Sequence, residues 1–181
     1  MIVTDKELFE NFLNLETRSI AFNQIVRKYQ KQVYYLIRRI VIDHDDANDI
    51  VQDTFIKVYQ ALPNFRGDSQ LYTWLYRIAT NESLNFLKKK RRKYFIPIYD
   101  VEKELTSKVE SGHLISGDEI QIKLQKAILK LPEKQRVVFN LKYFDELKYE
   151  DMAEILQTSV GALKASYHHA VKKIEQYINE D

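Results

Sequence analysis

Cysteine is absent from the 181 residues, which excludes a disulfide framework, Cys-ligated zinc and thiol catalysis within the chain. Four Gly and three Pro leave little punctuation for the many tight turns of an all-β sandwich, so helix is the expectation. No stretch approaches about 18 consecutive apolar residues, so no bilayer span is expected. The opening residues, Met1 to Glu7, lack the basic start and long apolar run of an export signal, and a cytoplasmic location is expected. A Gly-rich phosphate loop, a His-Glu-x-x-His and a Gly-x-Ser-x-Gly are all missing. With no catalytic constellation, the chain reads as a non-enzyme with no cofactor and no small-molecule substrate. What is present is 45% hydrophobic and 30% charged, ordinary for a folded protein, with twelve Tyr and nine Phe as ring surface for burial or base stacking.

The net charge of +2 hides an uneven distribution. Residues 1–93 carry 16 Lys and Arg against 11 Asp and Glu, and residues 94–119 carry 2 against 6. Residues 120–181 carry 10 against 9. A basic block, an acidic stretch and a near-neutral block point to two folded units joined by a connector.

Hydrophobic spacing predicts the helices. Ile20, Ile25, Val33, Leu36, Ile37 and Ile40 recur at roughly helical intervals up to Ile42. Asp43-His44-Asp45-Asp46 then interrupts and can cap a second helix running to Leu62. On that helix Ala47, Val51, Thr54, Phe55, Val58 and Leu62 share one face, and Asp46, Asp49, Asp53, Lys57 and Gln60 another. Four adjacent residues cannot converge on one ion without a loop such as the EF-hand, so no metal site is expected at 43–46. Pro63 to Ser69 reads as a loop. A third helix carries Tyr72, Trp74, Leu75, Ile78, Ala79, Leu84 and Leu87 and ends in the basic run Lys88 to Lys93. Residues 94–119 lack periodicity and read as a linker. Helix resumes near Asp118, and Pro132 is expected in the first turn of the next helix.

The last forty residues give a sharper pattern. Tyr149 to Leu156 is a two-turn amphipathic helix with Ala153 at its centre, Gln157-Thr158-Ser159 a turn with Ser159 as N-cap, and Val160 to Ile178 a longer helix. Its apolar face gathers Val160, Leu163, Tyr167, Ala170, Val171, Ile174 and Ile178, leaving Lys164, Ala165, Ser166, His168, His169, Lys172 and Lys173 outward. This is a helix-turn-helix pattern, suited to the major groove of DNA. It also fits a helical hairpin with a solvated basic face.

Taken together, Asp46-Ala-Asn-Asp-Ile-Val-Gln-Asp-Thr-Phe55, the stretch from Phe65 through Tyr72-Thr-Trp-Leu-Tyr-Arg-Ile-Ala to Asn81, and Leu131 to Lys173 resemble the bacterial extracytoplasmic-function sigma factors of the sigma-70 family. The fold this implies is all-α: two small helical domains, at 1–93 and 120–181, joined by a linker at 94–119. The resemblance implies that the first domain docks on the β′ clamp helices of core RNA polymerase through Asp46, Asp49, Gln52, Asp53 and Ile56. By their residue types alone these could also form a solvated acidic face or stabilise the helix N-terminus. It further implies that Phe65, Gly67, Asp68, Ser69, Gln70, Leu71 and Tyr72, with Asn81, capture a base extruded from the promoter minus-ten element. Short polar groups with aromatic walls suit such a base. Trp74 is expected in the core. Lys88, Arg91 and Arg92, with the rest of the basic run, would lie along phosphates.

The resemblance assigns the minus-thirty-five element to Lys164, Ala165, Ser166, His168, His169 and Lys172. Several Arg positions of the family pattern are occupied here by Ser166, His169 and Val171, and Gln157 replaces the usual turn Gly. Each missing Arg removes a possible bidentate guanine contact, so weaker and more pH-sensitive recognition is expected. Core polymerase, promoter DNA and an anti-sigma factor are the implied partners. A helix-turn-helix regulator acting without polymerase is the alternative, though it has no need of a Gly loop before an aromatic-rich helix.

Overall fold

The structure of the chain, a computed structural model, describes residues 3–94 and 119–180. Among these, regular structure is helical: α1 (Asp5–Leu13), α2 (Arg18–Val41), α3 (His44–Ala61), a 3₁₀ turn at Leu62–Asn64, and α4 (Leu71–Tyr94). The second half holds α5 (Glu119–Leu129), α6 (Glu133–Tyr143), α7 (Tyr149–Leu156) and α8 (Val160–Glu180). Residues 95–118, which hold nearly all of the expected linker and the expected helix start at Asp118, lie outside the described residues.

Local chemistry sets the helix ends. Thr4 and Glu7 form a reciprocal capping box on α1, the Glu7 N–H donating to Thr4 Oγ1 (3.3 Å) and the Thr4 N–H to Glu7 Oε2 (2.7 Å). Asp5 then ties α1 to α2, accepting from Lys28 Nζ and from the Tyr29 hydroxyl, each at 2.6 Å. The α2 stripe Ile25, Tyr29, Val33, Leu36, Ile37 and Ile40 is buried at intervals of three and four, as the sequence spacing requires. Asp43 Oδ1 accepts from the N–H groups of Asp45 (3.0 Å) and Asp46 (3.1 Å), capping α3. Pro132 sits one place earlier than expected, as the N-cap of α6. There only its carbonyl is needed, and it accepts from the Arg136 N–H at 2.9 Å.

Two apolar clusters result. The larger gathers Phe12, Ile25, Leu36, Phe55, Val58, Leu75 and Ala79 from α1 to α4, and also Val137, Val138, Leu141, Met152, Ile155 and Leu163 from α6 to α8. A smaller one, Ala127, Ile128, Leu131, Phe139, Ala170 and Ile174, holds α5, α6 and α8 together. The first and second halves therefore share a core rather than merely touching. Polar groups lock the same joint. Arg39 pairs with Asp145, Asn140 Nδ2 donates to the Arg39 carbonyl (3.2 Å), and Arg91 pairs with Glu133 at 2.8 Å. Burial raises the Asp145 carboxyl above its usual range, against the opposing pull of Arg39.

Candidate nucleic-acid and polymerase interfaces

The loop between α3 and α4 forms because Pro63 tightens the end of α3 into a 3₁₀ turn, after which Phe65 leaves in an extended conformation. Gly67 then takes φ +74°, the left-handed region that an L side chain enters only at a cost. The Gln70 carbonyl accepts from the Trp74 N–H (3.1 Å) as α4 begins. Phe65 packs edge-on against Phe9 (centroids 5.3 Å) and tilted against Trp74 (5.1 Å). A cleft of about 510 Å³ opens beside these rings, lined by Asn64, Phe65, Arg66, Asp68, Ser69, Trp74 and Arg77 and, from the second half, by Ala153, Glu154 and Gln157. The volume lies within the range of small-ligand sites, and the lining offers ring faces, short polar groups and two guanidinium groups.

The expected minus-ten residues separate within this geometry. Phe65, Asp68 and Ser69 line the cleft, with Gly67 shaping the turn and Gln70 exposed at its end. Leu71 is only 3% exposed and belongs to the core. Tyr72 is half-buried and donates its hydroxyl to Asp151. Burial, then the bond to Asp151, raises its pKa. Trp74 is half-buried, with one side toward the core and its remainder in the cleft. Asn64, Arg66 and Arg77 were not among the expected site residues. The two Arg, flanking the aromatic positions, were the available signal.

Asn81 lies apart, in a groove of about 390 Å³ between α3 and α4 with Lys57, Gln60, Ala61, Ile78 and Glu82. Lys57 and Glu82, both lining it, form an ion pair. The groove continues past Asn85 to Lys88, Lys89 and Arg92. The basic run is divided in use: Lys90 pairs with Asp46 (2.7 Å) and Arg91 with Glu133, whereas Lys88, Lys89 and Arg92 are exposed. Asp46 is thus half-buried and engaged, while Asp49, Gln52, Asp53 and Ile56 form an exposed strip on α3, Ile56 being 56% exposed. His44, between these acids, bonds the Tyr34 hydroxyl (2.7 Å) and Asn48 (3.1 Å).

In the second half, α7 and α8 meet at a turn where Gln157 takes the left-handed conformation, φ 50°. The Thr158 N–H donates to the Ala153 carbonyl (3.2 Å), closing α7. Ser159 Oγ accepts from the Ala162 N–H (3.2 Å) as the N-cap of α8. Leu163, Ala170 and Ile174 are buried beneath α8, leaving Lys164, Ala165, His168, His169 and Lys172 exposed and Ser166 half-buried. One cationic face on a capped second helix is the arrangement by which a recognition helix enters the major groove.

Two family models match, on either side of residues 94–119: Sigma-70 region 2 over residues 25–93 and Sigma-70, region 4 over residues 121–174. The chain is 37% identical over 182 residues to the RNA polymerase sigma-H factor of Pseudomonas aeruginosa, covering 95% of this chain and 92% of that protein. It is 35% identical over 186 residues to the ECF RNA polymerase sigma-E factor of Escherichia coli strain K12, covering 97% and 95%. The fold is similar to that of CnrH, solved in complex with the cytosolic domain of CnrY, with TM-score 0.72, 22% identity and 98% of both chains covered. It is also similar to that of the sigma factor RpoE of Bartonella quintana, solved with the anti-sigma factor NepR, with TM-score 0.68, 22% identity and coverage of 88% and 98%. The chain belongs to the extracytoplasmic-function group of the sigma-70 family: it is an RNA polymerase sigma factor. No helix among the described residues is long and apolar enough to cross a membrane.

Proposed function

We propose that residues 1–93 dock on core polymerase and open the minus-ten element, while residues 120–181 hold the minus-thirty-five element. The exposed α3 strip Asp49, Gln52, Asp53 and Ile56 suits a row of Arg or Lys on the β′ clamp helices, with Ile56 as the apolar anchor. An extruded base enters the cleft beside the Phe65 and Trp74 rings, where Asp68 and Ser69 meet its polar edge. Base–aromatic stacking contributes about 1–3 kcal/mol per base, comparable with the few kcal/mol that unstacking and unpairing cost. Strand opening is then driven by binding free energy. Asn81 lies in a separate groove and would meet a neighbouring nucleotide, with Lys88, Lys89 and Arg92 on the flanking phosphates. The exposed α8 face reads the upstream element. The site of action is the cytoplasm, and an anti-sigma factor is the implied partner, the Bartonella sigma factor having been solved in complex with the anti-sigma factor NepR.

The aromatic cleft at the start of α4 carries this reading. Transcription by purified core polymerase over a random promoter pool tests it. Ser69→Ala and Asn81→Ala should each shift or abolish start-site selection, and Phe65→Ala should lower initiation by about 5–100-fold, the equivalent of one lost stacking contact. Unchanged start-site selection in all three variants overturns the assignment.

A further inference from the structure

A pocket of about 190 Å³ opens where the end of α5 meets the later turns of α8, lined by Ala127, Lys130, Leu131, Lys173, Gln176 and Tyr177. It is too small for a drug-sized ligand, which takes about 300 Å³ or more, but it has room for a single phosphate group. The Lys130 ammonium sits 3.7 Å from the centroid of the Tyr177 ring, a cation–π contact that holds the charge at the pocket. Tyr177 is itself anchored, packing against the smaller apolar cluster. Lys173 and Gln176 are exposed on α8 and add a second ammonium and an amide. No carboxylate lines the pocket among the described residues, and Glu133, the first acid after Leu131, is committed to Arg91. Two lysines thus share a concave site with no resident anion.

We propose that this pocket clamps one backbone phosphate of promoter DNA beside the minus-thirty-five element. The clamp rests on the reading of α8 as the helix that enters the upstream major groove, and it adds a contact outside that groove. Position decides the ligand. Lys164, the first of the outward cations, and Lys173 lie nine residues apart, about 14 Å along a helix. The early turns of a recognition helix meet the base edges, and the major groove is about 12 Å wide and about 8.5 Å deep. Lys173 therefore stands outside the groove, level with the sugar–phosphate backbone. His169, Lys173 and Gln176 follow at intervals of four and three along one edge of α8, and α5 brings Lys130 to that edge. An ammonium meets phosphate as a point charge and carries no sequence information. The contact offsets a deficit: Ser166, His169 and Val171 stand where the family pattern carries Arg. Two lysines on the backbone restore affinity there without restoring sequence preference.

The test titrates holoenzyme, core polymerase with the full-length chain, against duplex promoter fragments from the random pool at several salt concentrations. Lys130→Gln and Lys173→Gln should each lower the slope of log K against log salt by about 0.9. Between about 50 and about 200 mM salt the parent should then lose about tenfold more affinity than the double variant, with the ranking of promoter sequences unchanged. Neutral methylphosphonate linkages, placed in turn along the upstream backbone, locate the contact: one position should weaken the parent and leave the double variant unaffected. Lys6→Gln, which removes an exposed charge on α1, should keep the parent slope. Unchanged slopes for the two lysine variants, a reordered ranking, an equal fall for Lys6→Gln, or no linkage that separates parent from double variant overturns the clamp. So does weaker binding of the double variant to core polymerase in the absence of DNA, which gives the pocket to an acidic protein surface instead. Lys164→Ala with His169→Ala tests the reading beneath it. A changed minus-thirty-five preference in that variant, with parent slopes in the two lysine variants, sinks the clamp alone. An unchanged preference sinks the reading of α8 itself.

Discussion

Gly67 and Gln157 form a pair of opposites at the residue scale. Both stand in the left-handed region, at φ +74° and φ 50°, yet only one is the residue that enters it freely. A Cβ at Gly67 would meet nothing within 4 Å, so Gly67→Ala should cost about 1 kcal/mol through backbone strain alone. Gln157→Gly should instead stabilise by about 0.5–1 kcal/mol, strain relief exceeding the entropy that Gly adds to the unfolded chain. Urea denaturation of both variants checks the two signs. Tyr76 supplies a pH signature. Burial pushes its hydroxyl up to about 12, with the Asp145 charge adding and Arg39 opposing. A folded pKa above the unfolded value means that its stabilising contribution is complete below about pH 10 and lost as the pH climbs toward 12. Melting temperatures followed from about pH 9 to about pH 12 should fall less steeply for Tyr76→Phe than for the parent.

Among the elements, those set by local periodicity were legible in the sequence. The α2 stripe from Ile25 to Ile40 and the α7–turn–α8 unit with its Ser159 cap follow from spacing and capping chemistry, which act within a few residues. Pairings between distant positions were not. Lys90 lies 44 residues from Asp46, and nothing in either helix taken alone shows that they will meet. The sequence pattern groups Leu71 with the loop, because the turn, not the helix, fixes where the core phase of α4 begins. The division of the basic run makes a quantitative prediction. Replacing Lys88, Lys89 or Arg92 by Ala should reduce the dependence of log K on log salt for promoter binding by about 1 per residue, whereas Lys90→Ala should change it less. Holoenzyme–promoter titrations at several salt concentrations would check it. Equal slopes for Lys89→Ala and Lys90→Ala would show that the internal pair with Asp46 does not hold Lys90 back.

The whole molecule hides what the charge blocks suggest. Composition marks a basic unit, an acidic connector and a near-neutral unit, and the two family matches fall on either side of the connector. Spacing could not show that Met152, Ile155 and Leu163 complete a cluster begun by α1 to α4, because an apolar helix face does not specify its partner. That shared cluster gives separation of the halves a hidden liability. Once α7 lifts from α4, Leu71, Tyr76, Met152 and Ile155 face water together, a sticky seam on an otherwise well-charged particle. A sigma chain whose halves part without a polymerase at hand should therefore stick to its neighbours, and light scattering of Asp145→Ala, which removes the Arg39 pair across the joint, should show mass growing with concentration. Whatever macromolecule prises the halves apart has to shield that seam as it does so.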